Sequence, residues 1–237
     1  MIIEKHIKEI ENLLNKEKVI KYKLLQISFN IACLKFKLSN GKIYIAKFFV
    51  EKKHKFNAII SETKNLLYLD KKFNFFPKVV FYNNIYLIIE YLDHGKNKPK
   101  KTKKDFLESI IKIHSVSNSL FGFEFNTQIG GLELKNNFDN SWVNFYSKKR
   151  LNPIFELVNK HHDMGNFVNQ TISYILKNMK DFIPNNPPAL LLHGDLWEGN
   201  ILFKNNKFVG LIDPGSFFGH NEMEVAYLRW FNPSFID

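Results

Sequence analysis

The chain has 237 residues, a single cysteine and a formal net charge of +11, and 45% of its residues are hydrophobic. This length accommodates one domain or two small lobes around a real core, and the single thiol excludes an internal disulfide. The sequence has no apolar run of membrane-spanning length, and Met1 to Lys18 lacks a signal-peptide stretch, so we expect a cytoplasmic protein without a membrane partner.

The first part of the sequence predicts a small sheet with accompanying helices. Apolar residues recur with a helical period over 2–18, and strands follow over 19–50 with a hairpin turn at 39–42. A helix is predicted over 55–70. Two further strands are predicted over 79–82 and 85–91, after the break at Pro77.

Lys47 is the unusual residue of the strand over 43–50, because alternation places it on the same face as Ile45 and Phe49. An ammonium group on an apolar face is costly unless it is paired. Glu62, at the edge of the apolar stripe of the next helix, can supply the partner carboxylate. One interpretation is a lysine that binds ATP phosphates and is held by Glu62. The other is a strand-end lysine that reaches water, with an ordinary surface glutamate nearby.

Residues 93–102 are polar and lysine-rich, a composition typical of a linker. The sequence therefore predicts an N-lobe over 1–92, a hinge or linker over 93–102 and a helical C-lobe over 103–237. The linker lysines lack the interleaved aromatic residues of a base-stacking surface, so we interpret them as solvated and expect no nucleic-acid partner. A basic nucleic-acid arm is the alternative. The lysines concerned are Lys96, Lys98, Lys100, Lys101, Lys103 and Lys104.

The C-lobe is predicted to contain helices near 103–115, 141–146, 153–163, 166–180 and 221–230. A short apolar strand over 189–192 and a hairpin over 201–212 lie between the last two of them, whereas 116–138 and 214–221 are predicted loops. In the second loop, Phe217 and Phe218 could line a sugar-binding wall or simply pack beneath the loop.

The polar segment after the strand over 189–192 carries the strongest functional signal. Asp195 and Asn200 have the Asp-Leu-x-x-x-Asn spacing of the protein-kinase catalytic loop, and a further acidic residue, Asp213, follows the hairpin. Phosphoryl transfer needs a carboxylate to orient and deprotonate the acceptor hydroxyl, and oxygen ligands to hold Mg²⁺. Asp195 is the candidate base, and Asn200 and Asp213 are the candidate magnesium ligands. The alternative is a surface turn rich in Asp and Asn.

The segment 193–200, His-Gly-Asp-Leu-Trp-Glu-Gly-Asn, resembles the fructosamine kinase family, as does the Ile-Asp-Pro that follows at 212–214. This family belongs to the aminoglycoside-phosphotransferase group of kinase-like folds, and its members phosphorylate ketosamines, the sugar adducts of protein or free amines. Trp197 distinguishes this loop from those of choline and antibiotic kinases. Further similar positions are Phe121-Gly122-Phe123, Ile129-Gly130, Asn140, Trp142, Phe145, Arg150-Leu151, Gly219, His220 and Glu222.

The resemblance implies an α+β, two-lobed protein-kinase-like fold, with an antiparallel-sheet N-lobe and a mainly helical C-lobe. It implies ATP-dependent phosphorylation of a sugar hydroxyl of a small-molecule or protein-linked ketosamine, with ATP and Mg²⁺ as cofactors. It also places adenine near Glu90 and Leu92, where a plain buried strand is the alternative interpretation. We expect the protein to act as a monomer.

Three features differ from the family pattern. Gln26 and Ile27 align with the family's paired glycines between the first two strands, so we expect a stiffer turn there. Glu224 replaces an aspartate that can brace the catalytic loop. Family members continue beyond the position of Asp237, so we expect a C-terminally shortened form or a missing part. Two alternatives therefore stay open: a kinase of another hydroxylated amine, choline- or aminoglycoside-like, and a non-catalytic nucleotide-binding remnant.

Overall fold

A five-stranded antiparallel sheet forms the N-terminal part of the protein, and the computed structural model describes residues 2–51, 55–95, 99 and 104–231. The strand order is β1-β2-β3-β5-β4. Five residues of the predicted lysine cluster lie outside the described residues, namely Lys96, Lys98, Lys100, Lys101 and Lys103, whereas Lys104 begins a helix. The strands are β1 Val19–Ser28, β2 Ile31–Leu38, β3 Ile43–Phe49, β4 Val79–Tyr82 and β5 Tyr86–Glu90.

A helix covers each face of this sheet. Helix α1, Ile2–Leu13, buries Ile10 against β2, β3 and β5. Helix α2, Ala58–Asp70, buries Ile59, Leu66 and Leu69 on the other face, and its first turn is capped by the Asn57 side chain, which accepts a hydrogen bond from the Ile60 N–H. The alternating apolar residues of the strands therefore point to both faces of the sheet, and on each face they meet the apolar stripe of one helix.

Helix α1 ends at Leu13, five residues before the predicted end. Asn15 and Lys16 adopt positive φ angles, 57° and 64°, which a right-handed helix does not allow. Glu11 Oε1 accepts a hydrogen bond from the Val19 N–H, so the chain turns back directly into β1.

The C-terminal part contains five helices among the described residues, with small sheets between them. A π-helical segment, Ser147–Leu151, joins α4 to α5. The helices are α3 Lys104–His114, α4 Trp142–Tyr146, α5 Asn152–His161, α6 Gly165–Lys177 and α7 Glu222–Phe231. The strands are β6 Ser117–Asn118, β7 Thr127–Ile129, β8 Leu132–Leu134, β9 Ala189–Leu192, β10 Ile201–Lys204, β11 Lys207–Leu211 and β12 Phe217–Gly219.

The regions 116–138 and 214–221 contain short strands, so their prediction as loops is wrong. β12 and β6 pair with opposite edges of β9, and β7 pairs with β8 as a hairpin. Strands of two or three residues are too short to show a period, and their partners lie far away in the sequence. Phe217 and Phe218 are buried in β12, which fits the packing alternative and not a sugar-binding wall.

One apolar cluster runs from α2 and β5 through β9, β10 and β12 to α7, so the two parts share a continuous core. The Phe75 carbonyl accepts a hydrogen bond from the Leu211 N–H at 2.9 Å, which ties the segment before β4 to the hairpin β10–β11. Across the described ranges, every helix is too short or too polar to cross a bilayer.

Candidate active site

Asp195 lies at the base of a cleft between the sheet and the hairpin β7–β8, and both of its carboxylate oxygens accept hydrogen bonds. Asn200 Nδ2 donates to Oδ2 at 3.0 Å and to the Asp195 carbonyl at 2.9 Å. The Tyr227 hydroxyl, from α7, donates to Oδ1 at 3.3 Å. Burial raises the pKa of the Asp195 carboxyl, and the hydrogen bond from Asn200 opposes that shift only in part. The two hydrogen bonds fix the Asp195 carboxylate in position, and its burial makes it a stronger base.

His193 orients the loop that carries Asp195. Its Nε2 lies 3.0 Å from the Ile212 carbonyl, so this nitrogen carries the proton, and Nδ1 accepts from the Asp195 N–H at 3.3 Å. The ring is fully buried and stacks with Phe76. Burial lowers the pKa of His193 and keeps the imidazole neutral, as this hydrogen-bond pattern requires.

Gly194 occupies the position that is Arg in the protein-kinase motif, and the backbone explains the change. Its φ is +87°, in the left-handed region. A Cβ at this position would lie 2.1 Å from the carbonyl oxygen of Gly215. The loop therefore packs directly against the turn after Asp213, which brings Asp195 and Asp213 to one cleft.

Glu224 braces the same loop from α7. One carboxylate oxygen, Oε1, accepts from the Gly194 N–H at 2.6 Å, and Oε2 lies 2.9 Å from His114 Nε2. The side chain is 2% exposed, so its charge is stabilised by these two contacts and not by water. Glu224 thus supplies the bracing carboxylate that is expected from an aspartate at this position. His114, at the end of α3, is its second partner.

We expect Glu224→Ala to lower the free energy of unfolding by about 1–3 kcal/mol, because the buried Gly194 N–H loses its acceptor. The same variant should lower kcat, since Gly194 precedes Asp195. Urea unfolding and steady-state turnover measure the two effects. His114→Ala is the matched control, because it removes the other contact of the carboxylate and leaves the Gly194 hydrogen bond. Equal kcat losses in both variants would contradict a specific role of the Gly194 contact.

The predicted ion pair between Lys47 and Glu62 is present, and it has a third member. Lys47 Nζ donates to Glu62 Oε1 at 2.5 Å and to Asp213 Oδ1 at 2.7 Å. Burial disfavours the lysine charge, but the carboxylates of Asp213 and Glu62 outweigh burial and raise the pKa of Lys47. The lysine is therefore charged and aimed at the cleft from β3, with one carboxylate on each side.

Asp213 and Asn200 present oxygen atoms to the cleft. Asn200 uses its amide nitrogen to bind Asp195, which leaves the amide oxygen for another ligand. Asp213 has a φ of +57°, and its side chain is 30% exposed although one oxygen binds Lys47. Two hard oxygen ligands suit Mg²⁺, which protein sites hold through one or two carboxylates together with substrate phosphates. Within 2–51, 55–95, 99 and 104–231, no group of three or more His, Cys, Asp or Glu residues could hold a metal ion.

A second cavity, of 350 Å³, lies between the sheet and the hairpin β10–β11. It is lined by Glu90, the last residue of β5, and by Leu92, the two residues that are predicted to lie near adenine. Its walls are largely apolar, which suits a planar base. The walls include Ile45, Ile89, Leu202 and Ile212, and Lys47 and Asp213 lie at its junction with the cleft.

The turn between β1 and β2 contains no glycine. Gln26 and Ile27 lie within β1, paired with Cys33 and Ala32, so the turn falls at Phe29 and Asn30, both with positive φ. The turn is thus a two-residue hairpin, and its stiffness stays a prediction.

Phe29 reaches across the cleft from that turn to the hairpin β7–β8. A Cβ on Gly131 would lie 2.6 Å from the Phe29 Cβ, and a Cβ on Gly130 would lie 3.4 Å from the Phe29 ring. The glycines of the turn between β7 and β8 therefore make room for an aromatic side chain from the opposite side of the cleft. We refer to this contact as the Phe29 clasp.

Sequence reasoning gave no site role to Tyr227 and Gln128, both of which line the cleft. Tyr227 lies three residues after Glu224, on the same face of α7, and that spacing was an available signal. Gln128 accepts a hydrogen bond from the Gly131 N–H through Oε1, and nothing in the local sequence indicates this contact.

The architecture and the site define a class: an α+β, two-lobed protein of protein-kinase-like fold. A solved structure from Thermobifida fusca, described as a candidate fructosamine-3-kinase, superimposes with a TM-score of 0.82 over 95% of this chain and 78% of that chain, at 21% identity. An aminoglycoside phosphotransferase in complex with ADP and hygromycin B superimposes with a TM-score of 0.65 over 98% of this chain and 78% of that one, at 16% identity. These likenesses establish the fold.

The family is established by sequence. The fructosamine kinase family model matches residues 36–235, and the chain belongs to that family. A chloroplastic protein-ribulosamine 3-kinase of Arabidopsis thaliana is 28% identical over 155 residues, 63% of this chain and 47% of that protein. A probable ketoamine kinase of Enterococcus faecium is 28% identical over 158 residues, 64% of this chain and 55% of that protein. The chain spans about half the length of these curated relatives.

Proposed function

We propose that this protein transfers the γ-phosphoryl group of ATP to a sugar hydroxyl of a small-molecule or protein-linked ketosamine. The observation that carries the proposal is the convergence of Asp195, Lys47 and Asp213 on one cleft, beside an apolar cavity of nucleotide size. Membership of the fructosamine kinase family and the printed names of the relatives support the ketosamine as acceptor.

Asp195 would act as the base. It accepts the proton of the acceptor hydroxyl while the acceptor oxygen forms its bond to the γ-phosphorus and the bond to the bridging oxygen of ADP breaks. Its raised pKa suits this task, because a stronger base takes the proton more readily. The products are a phosphorylated ketosamine, ADP and a proton.

Lys47 would bind the phosphates, fixed in place by Glu62, and Asn200 and Asp213 would hold Mg²⁺. When bound, Mg²⁺ neutralises charge on the phosphate oxygens. Glu90 and Leu92 would contact adenine at the far end of the apolar cavity. With these roles, we propose that 1–92 form the nucleotide-binding lobe, 93–102 the hinge and 103–237 the catalytic lobe.

The test is magnesium-dependent ADP release with fructoselysine or ribuloselysine as acceptor, with choline and an aminoglycoside assayed in parallel. We expect kcat/KM for a ketosamine to exceed the values for the other acceptors by at least about tenfold, which corresponds to about 1.4 kcal/mol of discrimination. A preference for choline or the aminoglycoside would favour a kinase of another hydroxylated amine. ATP binding without turnover of any acceptor would favour a nucleotide-binding remnant.

A further inference from the structure

We propose that an aromatic cavity beside α7 binds the amine-bearing part of the acceptor, and that Tyr227 closes the passage from this cavity to Asp195 until the acceptor hydroxyl displaces it. This inference rests on the proposed phosphotransferase function. It adds the place where the acceptor binds and the residue that gates its access to the base.

The cavity shares no lining residue with the nucleotide cavity and has a volume of 400 Å³, enough for a sugar joined to an amino-acid side chain. Aromatic side chains from three segments of the C-terminal part wall it: Trp142, Tyr146, Phe182 and Trp230. Aromatic faces attract cations, and the amine of a ketosamine is protonated near neutral pH.

The chemistry of the rim fits the same ligand. Glu222 lines the cavity and places its Oε2 3.8 Å from His220 Nδ1, which also lines it. The Glu222 side chain is 78% exposed, so its carboxylate can approach an entering amine without first losing a buried partner. Trp230 lines the cavity and is 79% exposed, so its indole ring is accessible to a ligand that enters from solvent. A cationic ligand with an apolar stem therefore meets complementary groups.

Tyr227 lines both this cavity and the catalytic cleft. Its hydroxyl donates to Asp195 Oδ1 at 3.3 Å, whereas the other carboxylate oxygen is held by Asn200. An acceptor hydroxyl must donate to the same carboxylate before it can lose its proton. The Tyr227 hydroxyl thus occupies the hydrogen-bonding position on Asp195 Oδ1 that the acceptor hydroxyl needs.

The Tyr227 side chain is linked by ring contacts to the catalytic loop. Its ring makes an edge contact with Phe231, with centroids 4.9 Å apart, and Phe231 lies 5.7 Å from Trp197 of the catalytic loop. Burial and the neighbouring Asp195 raise the pKa of Tyr227 to about 12, so the hydroxyl keeps its proton and donates at neutral pH. Displacement of the Tyr227 ring would therefore disturb the packing of Phe231 against Trp197.

The cavity is tested by two adjacent substitutions on α7. Ala226 lines the cavity, so Ala226→Trp fills it, whereas Val225 is 43% exposed and is not among the lining residues, so Val225→Trp adds the same bulk elsewhere. We expect Ala226→Trp to raise KM for fructoselysine at least about tenfold, since the filled cavity loses contact with the acceptor. KM for ATP should stay unchanged in both variants, and Val225→Trp should leave KM for fructoselysine unchanged. Equal KM values for fructoselysine in the two variants would overturn the assignment of the cavity.

The gate is tested by Tyr227→Phe, which removes only the competing hydroxyl. We expect KM for fructoselysine to fall about 2- to 10-fold, the change in affinity that the loss of one competing hydrogen bond produces. A fall in kcat at unchanged KM would overturn the gate, because it would show that the hydroxyl helps Asp195 and does not compete with the acceptor.

Calorimetric titration of fructoselysine in the presence of ADP and Mg²⁺ separates this inference from the proposed function. Binding to the native chain and to Val225→Trp, but not to Ala226→Trp, supports the cavity even if the chain turns over no ketosamine. Equal binding to all three overturns the cavity alone and leaves the proposed function standing. No binding to the native chain overturns both.

Discussion

Asp195→Asn is expected to lower kcat for a ketosamine by about 10²–10⁴-fold, because the variant keeps the shape of the side chain but loses the base. Asn200 and Tyr227 each hold one carboxylate oxygen, so an amide at Asp195 can keep one of these contacts and the loop keeps its place. Single-turnover measurement of ADP formation with saturating acceptor gives the chemical step directly.

The matched control is nucleotide affinity in the same variant. Asp195 lines the cleft but is not among the residues that line the apolar nucleotide cavity, so the dissociation constant for ATP should stay close to that of the native chain. A variant that loses ATP affinity as strongly as turnover would show that Asp195 acts in nucleotide binding. A variant that keeps native kcat would exclude Asp195 as the base.

Lys47→Met is expected to lower the free energy of unfolding by about 3–5 kcal/mol, because it leaves the buried carboxylate of Glu62 without its counter-charge. Glu62 is 3% exposed, so water cannot replace the lysine. The same substitution removes the cation that we propose to bind the phosphates, so ATP affinity should fall as well. Urea denaturation measures the stability, and titration with a fluorescent ATP analogue measures the affinity.

The double variant Lys47→Met with Glu62→Leu separates the two effects. Replacing both partners by apolar side chains removes the stranded charge, so stability should return to near the native value. ATP affinity should stay low, since the phosphate-binding cation is still missing. Recovery of ATP affinity in the double variant would exclude Lys47 as the phosphate-binding residue, and failure to recover stability would exclude Glu62 as the source of the loss.

The sequence predicted the parts of the site that depend on local spacing. Lys47 stood out because an alternating strand placed a charge on an apolar face, and the partner helix followed at once. The contact of Lys47 with Asp213 bridges 166 positions in the chain, so no local pattern could indicate it. The α+β, two-lobed fold is confirmed by structural likeness, whereas the catalytic roles of these residues stay predictions.

What the sequence missed depends on long-range pairing. β12 and β6 consist of three and two residues, and each exists because β9 offers an edge to it. The hydrogen bond from Tyr227 to Asp195 and the contact of Phe29 with Gly131 likewise join segments from different parts of the chain. Such contacts depend on how helices and strands pack against one another. The periodic spacing of apolar residues within one helix or strand carries no information about them.

The Phe29 clasp bears on product release in the proposed kinase reaction. Phe29 belongs to the β1–β2 hairpin above the cleft, and Gly131 belongs to the C-terminal part below it. Release of product with the opening of a lid or domain limits the turnover of many enzymes. Separation of the two parts would break the contact of the Phe29 side chain, which is 67% exposed, with Gly130 and Gly131. We therefore expect the rate of ADP release to depend partly on a residue that takes no part in the chemistry.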